Sequence, residues 1–233
     1  MPRRAYRRDR FGKRVLRLIW LAALCPLTTC AGAQDDSSAS RRIGAGATSA
    51  ATAPSRTTPG PPTTPPLVAA ARRQIGVTLH YDPAYVVLAY PNGDVAQNRG
   101  VCTDVVIRAL RTQGLDLQQR VHEDMRANFA LYPRKWGLRG PDRNIDHRRV
   151  PNLQTWFERQ GWDLAASDRA ADYRAGDLVT WMLPGNLPHI GIVSERKSRS
   201  GAPLIIHNIG RGAREENILF DYPITGRYRP RLP

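Results

Sequence analysis

The sequence predicts an α+β fold in a single domain. Apolar residues recur at helical spacing in the segments before Trp162, short β-rich runs follow that residue, and turn sequences separate those runs. Because the helices come first and the strands second, without alternation, the pattern favours α+β over α/β. A chain of 233 residues with 41% hydrophobic residues has room for one ordinary domain and its core.

Residues 1–33 contain the three parts of an export signal. A basic leader precedes an apolar run from Leu18 to Leu27, and Ala31-Gly32-Ala33 forms a small-x-small cleavage site. The apolar run is shorter than the roughly 20 residues that span a bilayer, so we predict cleavage, an exported protein (periplasmic or secreted) and no stable membrane span afterwards. Lipidation at Cys30 is the second interpretation, because Thr29 is bulkier than the small residue usually found before a lipidated cysteine.

A change of composition separates this signal from the folded domain. Residues 34–66 are rich in Ser, Ala, Thr, Gly and Pro and end in "TTPGPPTTPP". Such a segment buries too little apolar surface to offset its ordering entropy, which predicts a disordered linker. The folded domain is therefore predicted to cover residues 67–233.

The net charge of +15 does not indicate a nucleic-acid site. Residues 1–33 hold eight Arg or Lys and one acid, a net +7, so the remaining +8 is scattered over the rest of the chain. No basic helix interleaved with aromatic residues stands out, which argues against nucleic acid as a partner. Attraction to an acidic cell envelope fits this distribution better.

Helical periodicity predicts four helices, and each has a recognisable start or end. The first follows a proline pair and stops at Gly76, while the last has Pro151 in its first turn and ends at Gly161. After the first helix, "HYDPAYVVLAYPNGD" has two turn signals around a short apolar run, which indicates a loop with one candidate strand. The helical segments are "PPLVAAARRQIG", "CTDVVIRALRTQG", "LQQRVHEDMRANFALYP" and "PNLQTWFERQG".

Four strands are predicted in the second half of the domain. Their apolar runs are separated by "PGNLP" and "RKSRSGA", which are typical of turns between antiparallel strands. The predicted strands lie in "GDLVTWML", "HIGIVSE", "PLIIHNIG" and "ITGRYRP".

Cys102 becomes the only cysteine once the signal is removed, because Cys25 and Cys30 lie within residues 1–33. A lone cysteine has no partner for an internal disulfide, and an idle thiol is a liability in an oxidising compartment. This arithmetic favours either burial or chemical use and leaves both open.

Two histidines are placed to act with Cys102. His189 opens one predicted strand and His207 lies near the end of the next, so antiparallel pairing brings their imidazoles close together. A helix N-terminus and an adjacent imidazolium lower the pKa of a thiol, and a third polar group holds the imidazole in one orientation. The order predicts Cys102 as nucleophile, His189 as general base and acid, and His207 as orienting group.

The motifs "VCTDVVIRALR", "GDLVTW", "HIGIVS" and "IIHNIG" resemble those of NlpC-like cell-wall cysteine peptidases, which have a papain-like fold. The stretch from about residue 74 to 229 is similar, more closely, to a bacterial family catalogued as domain of unknown function 1287, through "YDPAYV", "YPNGDV", "GVCTDV", "HEDM", "NIDHRRVPNL" and "HNIG". The resemblance implies helices packed on a small antiparallel sheet and the same three catalytic residues. The backbone N–H of Cys102 is the expected oxyanion donor.

Three further residues are candidate substrate contacts or alternatives. The peptidases usually follow the cysteine with Ser-Gly, whereas this chain has Asp104 two residues on, and that acid either raises the thiol pKa or binds a substrate ammonium group. Asn208 is an alternative orienting residue, but strand alternation puts it on the face opposite His207, and we favour His207. Tyr90 is the best candidate by spacing for the tyrosine that related peptidases place in the site.

The sequence implies no cofactor and no metal. His147 has acids nearby at Asp142 and Asp146, but their spacing within one loop fits a bracing salt-bridge network better than a ligand set.

By the resemblance, the expected function is an exported cysteine hydrolase, an amidase or peptidase, that acts on peptidoglycan peptides or a related envelope amide through an acyl-enzyme. A non-catalytic envelope-binding module and an acyl or thioester transferase are the alternatives, and nothing in the sequence predicts the oligomeric state.

Overall fold

The computed structural model describes residues 63–232. The predicted signal peptide and nearly all of the predicted linker lie outside the described residues. Within residues 63–232, no helix has both the length and the apolar character needed to cross a bilayer.

Four helices lie in the first two thirds of the described chain, as predicted. Helix α2 is the central one, with nine of its ten residues, Cys102 to Leu110, buried. The side chain of Asp116 caps helix α3 by accepting a hydrogen bond from the backbone N–H of Gln118. The helices are α1 (Pro66–Arg72), α2 (Cys102–Arg111), α3 (Leu117–Asn128) and α4 (Val150–Arg159).

Eight strands form two sheets within residues 63–232. A short parallel pair joins β1 (His80–Tyr81) to β2 (Arg99–Gly100). The main sheet is antiparallel and has the order β3-β8-β4-β5-β6-β7, which confirms the α+β class. Its strands are β3 (Asp163–Leu164), β4 (Leu178–Leu183), β5 (Leu187–Lys197), β6 (Pro203–Asn208), β7 (Ala213–Glu216) and β8 (Ile224–Tyr228).

The predicted strands correspond to β4, β5, β6 and β8, whereas β7 and the two-residue strands were not predicted. The sequence of β7, "AREE", lacks the apolar alternation that marks a half-buried strand. It forms because it pairs along its length with β6, from Ile205↔Glu216 to Asn208↔Ala213. Tertiary pairing therefore determines this edge strand.

The two faces of the main sheet are both covered, which explains the continuous apolar runs of its strands. On one face, Ile190, Ile192 and Ile206 pack in one core with helices α1, α2 and α4. On the other face, Trp181 and Val193 belong to a smaller cluster that loop residues complete. Strand alternation places His189 and His207 on this second face.

The start of helix α2 lies where β5 and β6 cease to pair. The pairing of β5 with β6 begins at Ile192↔Ile206. Ile190 comes two residues earlier on β5, so its backbone lies outside the paired region. This opening leaves the N–H of Ile190 facing the thiol of Cys102, the first residue of α2. The separation of two strands thus creates the position that the cysteine occupies.

Candidate functional site

Cys102 is a buried thiol surrounded by backbone N–H groups. It is 4% exposed, and the N–H groups of Ile190, Thr103 and Cys102 itself lie within hydrogen-bonding reach of its sulfur. Burial raises the pKa of the thiol to about 12, the N–H of Ile190 opposes that rise, and the negative charge of Asp104 adds to it. The resting group is therefore a thiol, and a proton acceptor is needed to make it a nucleophile.

A chain of three polar side chains extends from β5 across β6 to β7. Nε2 of His189 lies 2.9 Å from Nδ1 of His207, and Nε2 of His207 lies 3.0 Å from Oε2 of Glu216. Both imidazoles are buried, at 2% and 0% exposure, whereas the Glu216 side chain is 38% exposed. The chain thus leads from the buried centre of the sheet to solvent at its edge.

The hydrogen bonds of this chain fix the tautomer of each ring. An ionised Glu216 only accepts hydrogen bonds, so Nε2 of a neutral His207 donates to it and Nδ1 of His207 is left as an acceptor. Nε2 of His189 then donates to that acceptor, and Nδ1 of His189 is the unprotonated nitrogen. None of the hydrogen bonds among residues 63–232 uses Nδ1 of His189, so this nitrogen is free to accept a proton.

The Cys102 thiol of helix α2 approaches β5 at the residue that follows His189. The N–H that faces the sulfur belongs to Ile190, the residue after His189, although no direct hydrogen bond joins the sulfur to the His189 ring among the described residues. Burial, together with the smaller effect of the neighbouring His207, lowers the pKa of His189 to about 3. The resting pair is thus a neutral thiol and a neutral imidazole.

Gly191 gives His207 access to His189. A side chain at Gly191 would place its Cβ 3.1 Å from Cβ of His207 and 2.5 Å from Cγ2 of Ile205. Because that space is empty, the His207 side chain lies across β5 and reaches the ring of His189. This is the physical reason for a glycine two residues after the histidine in "HIGIVS".

Asn208 faces the other side of the sheet and contacts the start of helix α2. Its Nδ2 donates to the backbone oxygen of Gly100 at 3.0 Å, and its Oδ1 accepts from the N–H of Gly210 at 3.2 Å. Of the two candidate orienting residues, the structure therefore brings His207, and not Asn208, to His189. Asn208 instead attaches the segment before the cysteine to β6.

Asp104 is held in a buried ion pair. Its two oxygens accept from Nε and Nη2 of Arg148, both at 3.0 Å, and one of them also accepts from the N–H of Val101 at 2.6 Å. Both side chains are nearly inaccessible, at 4% and 2% exposure. The carboxylate therefore has no free face for a substrate ammonium group, and of the two roles considered for it, the structure supports only an influence on the thiol pKa.

A cleft of about 190 Å³ opens over Cys102. Tyr81 lines it, and burial raises the pKa of its hydroxyl to about 12, so that hydroxyl remains a hydrogen-bond donor. The remaining lining is mostly apolar, with two arginines, and consists of Pro83, Val101, Cys102, Trp136, Ile145, Arg148, Arg149, Val150, Pro151 and Pro188.

Tyr90 does not line this cleft, which corrects its assignment as the substrate-contacting tyrosine. Its ring packs edge-on against His122, with centroids 5.4 Å apart, and the guanidinium of Arg143 lies over it at 5.6 Å. Tyr81 takes the position at the cleft because β1 pairs with β2, Tyr81↔Gly100, directly before the cysteine.

Sequence reasoning also missed Glu216 and the two cleft arginines. Glu216 lies two residues beyond Arg214, the residue opposite His207, and so shares its face within diagonal reach. Recognising β7 as a strand would have been sufficient to find it. Arg148 and Arg149 had no comparable signal, since Arg148 ends a short 3-10 turn without periodicity and Arg149 follows it.

The acids near His147 brace a loop. Asp146 accepts from the N–H of Asp142 and from Nη1 of Arg149, and His147 is 2% exposed. Within the described part of the chain, no group of three or more His, Cys, Asp or Glu residues is arranged to hold a metal ion.

These features define a class. It is an α+β domain in which a cysteine at a helix N-terminus lies against strand β5, and β5, β6 and β7 each contribute one residue to a hydrogen-bonded row of histidine, histidine and glutamate. The protein belongs to the family described as domain of unknown function (DUF1287), whose profile matches residues 68–230. It is also 62% identical over 159 residues to the uncharacterized protein YijF of Escherichia coli (strain K12), a match that covers 68% of this chain and 78% of the relative. The expected membership in this family is thereby confirmed.

Proposed function

We propose that the protein is a cysteine hydrolase that cleaves an amide bond through an acyl-enzyme. The observation that supports this most directly is the hydrogen-bonded chain His189, His207 and Glu216, which leaves Nδ1 of His189 unprotonated on the residue that precedes Ile190, whose N–H faces the thiol. A packing role for two buried histidines does not require them to share a proton chain that ends on a carboxylate.

The reaction has two halves. Nδ1 of His189 takes the proton of the Cys102 thiol, the sulfur attacks the substrate carbonyl carbon, and the resulting imidazolium returns the proton to the leaving amine nitrogen as the C–N bond breaks. A water molecule then attacks the thioester with the same base, which releases the carboxylic acid and the free thiol. Glu216, through His207, stabilises the imidazolium that forms in each half.

The N-terminus of helix α2 supplies the site for the developing negative charge. The N–H groups of Cys102 and Thr103 lie at the first turn, where backbone donors have no helical partner. The oxyanion of the tetrahedral intermediate forms next to the attacking sulfur and therefore within reach of these donors.

The papain-like, NlpC-like arrangement is part of the proposal. It is supported by a cysteine that begins the central helix, by an antiparallel sheet that bears both histidines, and by the motifs shared with cell-wall peptidases. The predicted export signal adds the envelope as the place of action. The substrate class is then a peptidoglycan peptide or a related envelope amide.

A binding module on the same fold is the alternative with an observation in its favour. Burial raises the pKa of the Cys102 thiol, which keeps the nucleophile in its unreactive form in the absence of substrate. A module that only holds an envelope ligand in the cleft needs no reactive thiol, so thiol reactivity separates the two functions.

The test combines alkylation with hydrolysis. We expect iodoacetamide to modify Cys102 in the wild type, and we expect His189→Ala to slow that reaction by about tenfold or more, because the base is lost. His122→Ala is the matched control, since His122 packs on Tyr90 away from the cleft. Purified muropeptides should be hydrolysed by the wild type and by His122→Ala but not by Cys102→Ala.

The outcomes separate the functions. Alkylation that is equally fast in His189→Ala, together with intact muropeptides, would contradict the hydrolase and favour the binding module. Transfer of the acyl group to an added amine in place of water would instead identify a transferase that uses the same triad.

A further inference from the structure

Two adjacent arginines line the cleft, and their surroundings differ. Four of the five N–H donors of Arg148 are used, because besides two bonds to Asp104 it donates to the backbone oxygens of Ala84 at 3.1 Å and Asp82 at 3.2 Å. Arg149 has one side-chain acceptor among the described residues, Oδ1 of Asp146 at 3.3 Å from its Nη1. Most of the N–H donors of Arg149 are therefore unoccupied.

The guanidinium of Arg149 is held in place by its ion pair with Asp146 and by the ring of Trp136. Its Cζ lies 4.1 Å from the centre of the Trp136 ring, which fixes the plane of the group. Burial lowers the pKa of Arg149, and burial raises the pKa of Asp146 to about 6, so each group lies in surroundings that disfavour its charge. The N–H donors of Arg149 that Asp146 does not use can still bind a second anion.

The described residues that line the cleft do not repel an anion. No acidic side chain is among the described residues that line it, and apart from Tyr81, the cysteine and the arginines its lining is apolar. A ligand that places an uncharged carbonyl at Cys102 thus meets one available cation, Arg149, on the same cavity wall. A planar guanidinium with free donors is suited to a bidentate carboxylate.

We propose that Arg149 is a specificity residue that binds a free carboxylate of the substrate, so that the scissile amide is one that has a carboxylate close to it. The identity of the bond cleaved rests on the proposed function, whereas anion binding at Arg149 does not. Trp136 and Asp146 act as positioning residues that hold the guanidinium toward the cleft.

The first test compares two alkylating reagents of similar size at Cys102, anionic iodoacetate and neutral iodoacetamide. We expect the ratio of their rates, iodoacetate over iodoacetamide, to fall by about tenfold in Arg149→Gln, because the charge-assisted hydrogen bonds are lost. Arg149→Lys should give an intermediate ratio, since it keeps the charge without the planar fork. Added salt should reduce the ratio in the wild type.

The matched control is Arg143→Gln. Arg143 also lies over an aromatic ring, that of Tyr90, but outside the cleft, so its loss should leave the ratio unchanged. An equal ratio in the wild type and in Arg149→Gln overturns the proposal. A fall in Arg143→Gln as large as that in Arg149→Gln also overturns it, because the effect would then come from net charge alone.

The second test needs no reactive thiol. N-acetylglycine and N-acetylglycinamide differ only in the carboxylate, and their binding is followed by chemical-shift changes of the Trp136 indole. We expect the acid to bind about tenfold more tightly than the amide in the wild type and equally in Arg149→Gln. Equal binding of the two compounds to the wild type contradicts the proposal.

The two proposals fail in different ways. If muropeptides stay intact while the carboxylate preference depends on Arg149, the hydrolase is wrong and the anion site stands. If muropeptides are hydrolysed equally well with free and with amidated carboxylates, the hydrolase stands and the role of Arg149 is wrong.

Discussion

Two groups of side chains near Cys102 are held by different kinds of interaction. We call the Asp104 and Arg148 pair the loop wall, and the histidine, histidine, glutamate chain, which lies outside the lining of the cleft, the sheet wall. On the loop wall, the Asp104 and Arg148 pair is buried and bidentate. On the sheet wall, His189 and His207 are neutral and share a hydrogen bond whose proton can move. The loop wall therefore gives fixed geometry, while the sheet wall is a hydrogen-bonded chain through which a proton can be shared.

The largest effect is expected from breaking the loop wall. Asp104→Ala leaves a buried guanidinium without its counter-ion, so we expect the free energy of unfolding to fall by about 3 to 5 kcal/mol, measured by urea denaturation. Arg159→Ala breaks a more exposed pair with Asp124 and should have a much smaller effect. A similar loss of unfolding free energy in both variants would mean that the buried pair of Asp104 and Arg148 stabilises the fold no more than an exposed pair does.

The next effect tests the packing of the sheet wall. Gly191→Ala places a methyl group against Ile205 and His207, so we expect a loss of about 1 to 3 kcal/mol and slower alkylation of Cys102. Gly140→Ala is the control, because a Cβ there meets nothing within 4 Å. If alkylation in Gly191→Ala keeps the wild-type rate, the contact between the two histidines is not needed for reactivity.

Acidification should destabilise the folded protein in part through His189 in the sheet wall. The pKa of His189 is lowered to about 3 in the folded protein, so below its ordinary value of about 6.5 the unfolded chain takes up a proton that the folded chain does not. Stability therefore falls as the pH falls. Between pH 7 and pH 5 we expect the wild type to lose about 2 kcal/mol more than His189→Gln, in paired urea titrations.

Comparing the wild type with His189→Gln at each pH isolates the contribution of His189 to the free energy of unfolding. His147, whose pKa burial also lowers to about 3, and Asp146, whose raised pKa acts in the opposite direction, are present in both. Equal losses in the two proteins would show that His189 does not contribute to the acid sensitivity.

The smallest change in stability is expected at the end of the proton chain. Glu216→Gln keeps the shape of a partly exposed side chain, so unfolding should change by less than about 1 kcal/mol. Alkylation of Cys102 should nevertheless slow, because the imidazolium loses the charge that stabilises it through His207. A rate equal to that of the wild type across pH 6 to 9 would remove Glu216 from the proposed mechanism.

Strand alternation was sufficient to predict one half of the site. The spacing in "HIGIVS" and "IIHNIG" put His189 and His207 on one face and Asn208 on the other, because a strand has a strict period of two. The same regularity predicted the helix that begins at Cys102. These residues lie on elements whose geometry is set by local pattern.

The other half depends on chain paths that no period describes. Tyr81 reaches the cleft, and Tyr90 does not, because of a two-residue strand pairing beside Gly100. Arg149 reaches it because a short turn precedes helix α4, and Glu216 reaches His207 through an edge strand whose own sequence is polar. Long-range packing determines all three positions.

Strand β6 connects both halves of the site. His207 contacts the base on one face, and the next residue, Asn208, holds the backbone oxygen of Gly100 at the start of the cysteine helix on the other face. Any substitution that displaces β6 should therefore disturb the base and the start of the cysteine helix together. The two halves of the site are mechanically coupled through two successive residues of one strand.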